Sequence, residues 1–209
     1  MSRLTEPKTL DGSNWDAIYH AGTPPWETGH PARELVRVME EGLIPPGRVL
    51  EVGCGTGADA IFLSQCGFEV TAVDSSPMAI ERARIRLEET DEPVRFLLAD
   101  VFEFIQTEQP FDLVYDAGFY HFVREFELDR FLDLLWRATR PGSYYFALIG
   151  ATGEAAEGGP PQVAEDDIYA EPGRLLNVVR LRPFVFESPY HEPGYKGWSC
   201  LMQRPIPAR

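Results

Sequence analysis

The stretch Arg48-Val49-Leu50-Glu51-Val52-Gly53-Cys54-Gly55-Thr56-Gly57-Ala58-Asp59 decides the fold. A short apolar run leads straight into glycines at alternate positions, and helix-forming residues follow. This order reads as strand, tight turn and helix. Glycines at such a turn let a ligand approach the backbone where a Cβ would collide. A turn packed tightly for its own sake would carry the same residues. The spacing Gly53-x-Gly55-x-x-Ala58 also satisfies the dinucleotide-binding pattern, so the loop alone leaves NAD open as a ligand.

Working outward, short β-branched runs alternate with segments of helical periodicity from about residue 48 to 150. Strands are expected over Val49 to Val52, Glu69 to Asp74, Val94 to Ala99, Asp112 to Asp116 and Ser143 to Ile149. That alternation predicts an α/β fold, a parallel sheet covered by helices. Ser76 caps one helix, with Pro77 at its first position and Ile80, Ala83 and Leu87 on one face. A second, about Glu125 to Thr139, aligns Leu128, Phe131, Leu132 and Leu135, and Pro141-Gly142 ends it. Asp74 closes the second strand about 20 residues beyond the glycines, where a carboxylate accepts ribose hydroxyls. Asp100 closes the third, where an acid takes an exocyclic amine.

Before the sheet, Ser13 and Asp16 have capping-box spacing for a short helix carrying Trp15 and Tyr19. Thr23-Pro24-Pro25-Trp26 reads as a stiff extended loop, after which Pro31 opens a helix that Gly42 closes. Beyond the sheet, 153–162 reads as a loop rich in Gly, Glu and Pro, followed by a short helix near Ala164 to Tyr169. Leu175 to Glu187 and Gly197 to Gln203 look like strands that pair antiparallel if joined by the loop between them.

The sequence Glu51-x-Gly53-x-Gly55-x-Gly57, with Asp74, Asp100 and Phe111-Asp112 at later strands, resembles the class I S-adenosylmethionine-dependent methyltransferases. The resemblance is strong over 44–150 and looser elsewhere. It implies a Rossmann-like, doubly wound and mainly parallel seven-stranded sheet with the last strand antiparallel. S-adenosylmethionine would be the cofactor, S-adenosylhomocysteine the product, and no metal would take part. Glu51 would hold the loop or the methionine amine, and Gly53, Gly55 and Gly57 would pass under the methionine and ribose. Asp74, with Ser75 beside it, would grip the ribose. Asp100 would bind the adenine amine with the Val101 backbone nearby, and Asp116 or Ala117 would face the amino acid end.

Trp15-x-x-x-Tyr19, Thr23-Pro24-Pro25-Trp26-Glu27-x-Gly29-His30-Pro31 and Gly158-Gly159-Pro160-Pro161 are similar to the thiopurine, thiol and halide methyltransferases. These set tryptophans from an N-terminal lid over the cofactor, a role that would fall to Trp15 and Trp26. Asp116-Ala117-Gly118-Phe119-Tyr120-His121 is instead similar to bacterial enzymes that methylate hydroxyls of quinolone-like heterocycles. There His121 would be the general base, because a titrating imidazole accepts a hydroxyl proton. A structural histidine is the competing reading of His121, and His191 is a second candidate base. Tyr19, Tyr120 and Tyr190 are candidate substrate-binding residues, while Tyr169 and Tyr195 line the pocket or merely fill it.

Composition bounds the partners. The 209 residues are 44% hydrophobic and 25% charged, and 19 basic against 33 acidic side chains give a net charge of −14. Such a surface repels nucleic acid and anionic lipid. Cys54, Cys66 and Cys200 form no metal or disulfide pattern, which fits a reducing cytoplasm. The apolar run Tyr144 to Ile149 is far short of the roughly 18 residues of a membrane span. The expectation is a single methyltransferase domain, 1–209, with a lid over 1–45, a cofactor-binding core over 46–150 and substrate-side elements over 151–209. It would act as a monomer or homodimer on a small molecule. An NAD-dependent oxidoreductase and a non-catalytic cofactor-binding protein are the alternatives.

Overall fold

The computed structural model describes residues 15–153, 159–188 and 192–207. Its seven strands are β1 (Arg48–Val52), β2 (Glu69–Asp74), β3 (Arg95–Leu98), β4 (Phe111–Ala117), β5 (Thr139–Gly150), β6 (Asn177–Phe186) and β7 (Tyr195–Gln203). They form one sheet in the order β3-β2-β1-β4-β5-β7-β6. The first five run parallel to one another, and β7 lies antiparallel to both β5 and β6. The expected fold is the observed one. Strand order reverses between β1 and β4, and the crevice outside their carboxyl ends is where an open α/β sheet binds ligand.

The helices are α1 (Trp15–Ala21), α2 (Arg33–Glu40), α3 (Ala58–Gln65), α4 (Pro77–Glu88), α5 (Val101–Phe104), α6 (Phe119–Ala138) and α7 (Glu165–Ala170). Both faces of the sheet are covered. Leu50, Val52, Val114 and Ile149 pack with α6 in one core, while Val49, Val70, Leu113 and Leu148 pack with α2, α3 and α4 in the other. Period-two alternation along each strand supplies both cores at once, which is why these strands are apolar almost throughout. Among the described residues no helix is long and apolar enough to cross a membrane.

Two elements depart from the sequence reading. Helix α6 starts at Phe119, ahead of the expected Glu125. Gly118 stands before it at φ 98°, and Glu127 breaks its helical geometry at φ −139°, ψ 36°. The periodic apolar set read from the sequence belongs to the half after that break. The half before it is aromatic and carries a different pattern. Pro141-Gly142 does not end the helix, because Thr139 already pairs with Phe111 in the sheet. The Thr139 hydroxyl donates to the Leu135 carbonyl at 2.6 Å and satisfies the last turn.

Ser76 caps α4 as expected, its Oγ accepting the Ala79 N–H at 3.1 Å. Ser13 lies outside the described residues, and Asp16 does a different job from capping its own helix. Its Oδ1 accepts the Ser76 hydroxyl at 2.8 Å and the Met78 N–H at 3.0 Å, tying α1 to the start of α4.

Candidate active site

The three loop glycines stand at φ 65°, 53° and 78°, the left-handed region that disfavours every side chain. Their surroundings separate their roles. A Cβ on Gly57 would lie 2.7 Å from Phe96 Cε1 and 3.0 Å from the Ala83 methyl, so the missing side chain at Gly57 makes room for the core. A Cβ on Gly55 would meet the Tyr19 hydroxyl at 2.8 Å, and one on Gly53 the Phe119 ring at 3.2 Å. Gly53 therefore faces the Phe119 ring of α6, and Gly55 faces the Tyr19 hydroxyl of α1. The Gly53 and Cys54 N–H groups donate to the Val73 carbonyl at 2.9 and 3.1 Å, which pins the loop to the end of β2.

Three carboxyls gather beneath this loop. Asp74 at the end of β2 accepts the Gly55 N–H on Oδ2 and the Ser76 N–H on Oδ1, both at 2.8 Å. Exposed Ser75 also donates its N–H, and burial still raises the Asp74 pKa. Asp59, whose role the sequence reading missed, accepts the Tyr115 hydroxyl at 2.7 Å and the Ala32 N–H at 2.8 Å. Glu51 is 4% exposed, and its Oε2 has no hydrogen-bond partner among the described residues. Burial first, then the charges of Asp59 and Asp74, push the Glu51 carboxyl well above the usual carboxylate range. A buried acceptor without a donor is costly, and three crowded acids call for a cation. A ligand that carries an ammonium and a sulfonium beside ribose hydroxyls fits this donor-poor set. Glu51 and Asp74 are the residues that would hold it.

Asp100 caps α5, its Oδ1 accepting the Phe102 N–H at 2.8 Å. The side chain stays half exposed at the edge of β3, with Oδ2 3.6 Å from Arg130 Nη2. The Val101 side chain is buried in the core, which leaves only its backbone for a ligand.

Three expected residues are corrected. Asp116 faces no crevice: its Oδ1 accepts the Phe119 N–H at 2.6 Å, and its Oδ2 the Tyr120 N–H at 2.8 Å and the Tyr145 hydroxyl at 3.0 Å. It anchors the start of α6, and burial pushes its pKa up to about 7. Tyr120 is buried in the core with its hydroxyl donating to Glu171 Oε2 at 2.6 Å, so it is no substrate-binding residue. His121 is 7% exposed, and its Nδ1 accepts the Gly150 N–H at 2.9 Å. Burial pulls its pKa down to about 3. A neutral ring that accepts at Nδ1 carries its proton on Nε2, leaving no nitrogen to take another. His121 is thus a structural histidine. Tyr190 and His191 lie outside the described residues.

The segment 15–31 is fastened to α4 by Arg82 and Arg86. Arg82 donates to the Tyr19 carbonyl at 2.7 Å and the Gly22 carbonyl at 3.0 Å, and Arg86 to the Gly29 carbonyl at 3.3 Å. Glu27 accepts the Thr56 hydroxyl, joining this segment to the glycine loop. Trp15 meets Trp26 edge-on with centroids 5.7 Å apart, and the Trp26 indole donates to the Tyr19 hydroxyl at 3.3 Å. The i, i+4 spacing of Arg82 and Arg86 on α4 was visible, but nothing local says that both reach a segment some 60 positions earlier.

Comparison with known proteins agrees with this geometry. Residues 49–142 match the family described as methyltransferase domain. A 2-heptyl-1-hydroxyquinolin-4(1H)-one methyltransferase of Mycobacteroides abscessus is 30% identical over 130 residues, 62% of this chain and 57% of that one. A probable thiol methyltransferase 2 of Arabidopsis thaliana is 29% identical over 149 residues, 70% of this chain and 65% of that one. Both matches span less than two thirds of the relative. A solved structure described as "Conversion of a Disulfide Bond into a Thioacetal Group during Echinomycin Biosynthesis" superposes with a TM-score of 0.78 at 27% identity, covering 93% of each chain. The fold is that of a Rossmann-like α/β domain with a glycine loop at the end of β1. Over residues 49–142 the chain is similar to the methyltransferase-domain family, and over most of its length it is similar in fold to the solved structure.

Proposed function

We propose that the protein transfers a methyl group from S-adenosylmethionine to a small-molecule acceptor. The observation that carries this reading is the unpartnered Oε2 of buried Glu51, set with Asp59 and Asp74 under the glycine loop. A dinucleotide would bring two phosphates to the same three acids, and like charge disfavours it there. The names of the relatives, a hydroxyquinolone and a thiol methyltransferase, agree with a small acceptor.

When bound, the cofactor supplies an electrophilic methyl on a cationic sulfur. The chain's own part is to bind, orient and exclude water. Asp74 offers its remaining lone pairs to the ribose hydroxyls, and Glu51 offers Oε2 to the ammonium. The Gly53 and Gly55 backbones lie along the methionine and ribose, with Ser75 and Asp100 at the ribose and adenine ends. Trp15, Tyr19 and Trp26 cover the loop, so nucleophile and methyl meet in a dry, collinear arrangement. None of the titratable groups at the start of α6 is free to take a proton: Asp116, Tyr120 and His121 are all engaged inward. The acceptor therefore brings an already ionised or readily ionised nucleophile, as a thiol or an acidic N-hydroxyl does.

The reading extends to a cytoplasmic monomer or homodimer that binds no nucleic acid. It is supported by the net charge of −14 and by the free thiols of Cys54, Cys66 and Cys200. Release of S-adenosylhomocysteine from S-adenosylmethionine in the presence of a thiol and N-hydroxy-heterocycle panel tests it. Turnover with one member is the expected result. Stabilisation by NAD(H) with no response to S-adenosylmethionine or S-adenosylhomocysteine would overturn it.

A further inference from the structure

Helix α4 begins just after Asp74, and its first donors can be followed one by one. Pro77, its first residue, has no N–H. The Ala79 N–H goes to the Ser76 hydroxyl oxygen and the Ile80 N–H to the Ser76 carbonyl, both at 3.1 Å. The Met78 N–H goes instead to a distant part of the chain, to Asp16 Oδ1 at 3.0 Å. The same oxygen accepts the Ser76 hydroxyl at 2.8 Å. Asp16 on α1 thus completes the start of α4, a place that suits a carboxylate because a helix N-terminus attracts negative charge. The bonds from Met78 and Ser76 hold the Asp16 carboxyl below the usual carboxylate range.

Ser76 links this terminus to the acids under the glycine loop. Its hydroxyl is fixed by Asp16, while its N–H donates to Asp74 Oδ1 at 2.8 Å. Asp74 Oδ2 in turn accepts the Gly55 N–H at 2.8 Å. A chain of hydrogen bonds therefore runs from α1 through Ser76 to the acid at the end of β2, and on into the loop. Ser76 is 1% exposed, so removing the Asp16 carboxyl takes away the acceptor of its hydroxyl proton and the outside support of the turn 74–76. A carboxylate turned by a small shift there no longer presents its free lone pairs at the angle that a ribose diol needs, and misplacements of this kind are costly. Arg82 holds α1 separately, at the Tyr19 and Gly22 carbonyls, so the helix keeps an anchor without Asp16.

We infer that Asp16 is a positioning residue for the cofactor: through Ser76 it sets the orientation in which Asp74 meets the ribose hydroxyls. The inference rests on the methyltransferase reading and adds to it a side chain of α1 that acts without touching the ligand. The contact of His20 Nε2 with Asp16 Oδ2, at 3.1 Å, takes no part in it, because both bonds to α4 end on Oδ1.

The test is calorimetry of S-adenosylhomocysteine against the full chain and its Asp16→Ala, Asp16→Asn and Asp74→Asn variants, together with the double variant of Asp16→Ala and Asp74→Asn. Asp16→Ala weakens binding roughly 10-fold, and Asp16→Asn, which keeps an oxygen for both donors, returns it to within about 2-fold of wild type. In the Asp74→Asn background the further effect of Asp16→Ala stays within about 2-fold, the non-additivity expected of residues in one hydrogen-bonded chain. A role confined to holding α1 in place would give the same roughly 10-fold loss in both backgrounds. That result, an unaffected Asp16→Ala, or no recovery in Asp16→Asn each overturn the positioning role while the cofactor reading stands. Failure of S-adenosylhomocysteine to bind the wild-type protein overturns the methyltransferase reading and this inference with it.

Discussion

The backbone N–H of Gly150 donates to Nδ1 of His121 at 2.9 Å, joining the last residue of β5 to the first turn of α6. A single bond of this kind decides the chemistry of the ring. The Nδ1 lone pair is occupied, the proton stays on Nε2, and burial holds the pKa near 3. A histidine placed after the fourth strand, where a base is wanted, has become part of the frame.

Replacing His121 with Ala therefore acts on stability before it acts on chemistry. The Gly150 N–H is left buried without an acceptor, which costs about 1–3 kcal/mol. In a chain of 209 residues each kcal/mol lowers the melting temperature by about 2–4 °C. The pH profile of kcat/KM moves with the pKa of whichever acceptor is used, in wild type and variant alike. An inflection fixed near neutral pH for acceptors of different pKa, and abolished by His121→Ala, would restore the base.

Stability should also depend on pH through this ring. Its folded pKa of about 3 lies below the ordinary 6.5, so the unfolded chain binds the proton more readily. The contribution is complete above about pH 6.5 and is lost as pH falls from there toward 3. Asp116, raised to about 7, has the opposite sign over part of that range. The clean readout is thus the difference in urea midpoint between wild type and His121→Gln. It narrows as pH drops from 7 to 4; a constant difference would contradict the assignment.

Gly55 faces the Tyr19 hydroxyl, whereas Gly57 faces the packed core. Gly57→Ala drives a methyl against the Phe96 ring and Ala83, and overpacking with a left-handed backbone costs at least about 2 kcal/mol. Gly55→Ala meets only the end of the Tyr19 side chain, so its main effect falls on cofactor affinity. Thermal melts and S-adenosylhomocysteine titrations of both variants check this. Equal losses of stability would refute the division.

Arg82→Ala removes two bonds from α4 to the lid, at Tyr19 and Gly22. Limited proteolysis within residues 15–30 should accelerate in the variant, and saturating S-adenosylhomocysteine should slow it again. A cleavage rate equal to wild type would show that the arginine does not fasten the lid.

The sheet was legible because its evidence is local: apolar runs, glycines at the first turn and acids at strand ends. Ser76 capping α4 was legible for the same reason. Asp116 and His121 misled because their residue types suit a site, while their roles depend on donors far along the chain, Tyr145 and Gly150. The early start of α6 escaped because Asp116 caps it from outside the helix and because its first half is aromatic on more than one side. The role of Asp59 is not legible in the sequence, since only the fold brings Tyr115 and Ala32 to it. The lid arginines escaped likewise.

On the function proposed above, the acids under the glycine loop hold a cationic, ribose-bearing cofactor. Calorimetry of S-adenosylmethionine and S-adenosylhomocysteine against wild type and Asp74→Asn tests it most directly. One-to-one binding of both to wild type is expected, weakened by roughly 1–3 kcal/mol in the variant, whose amide replaces one charged acceptor with a donor. Equal affinity in the two proteins, or binding of NADH in place of either ligand, would contradict it.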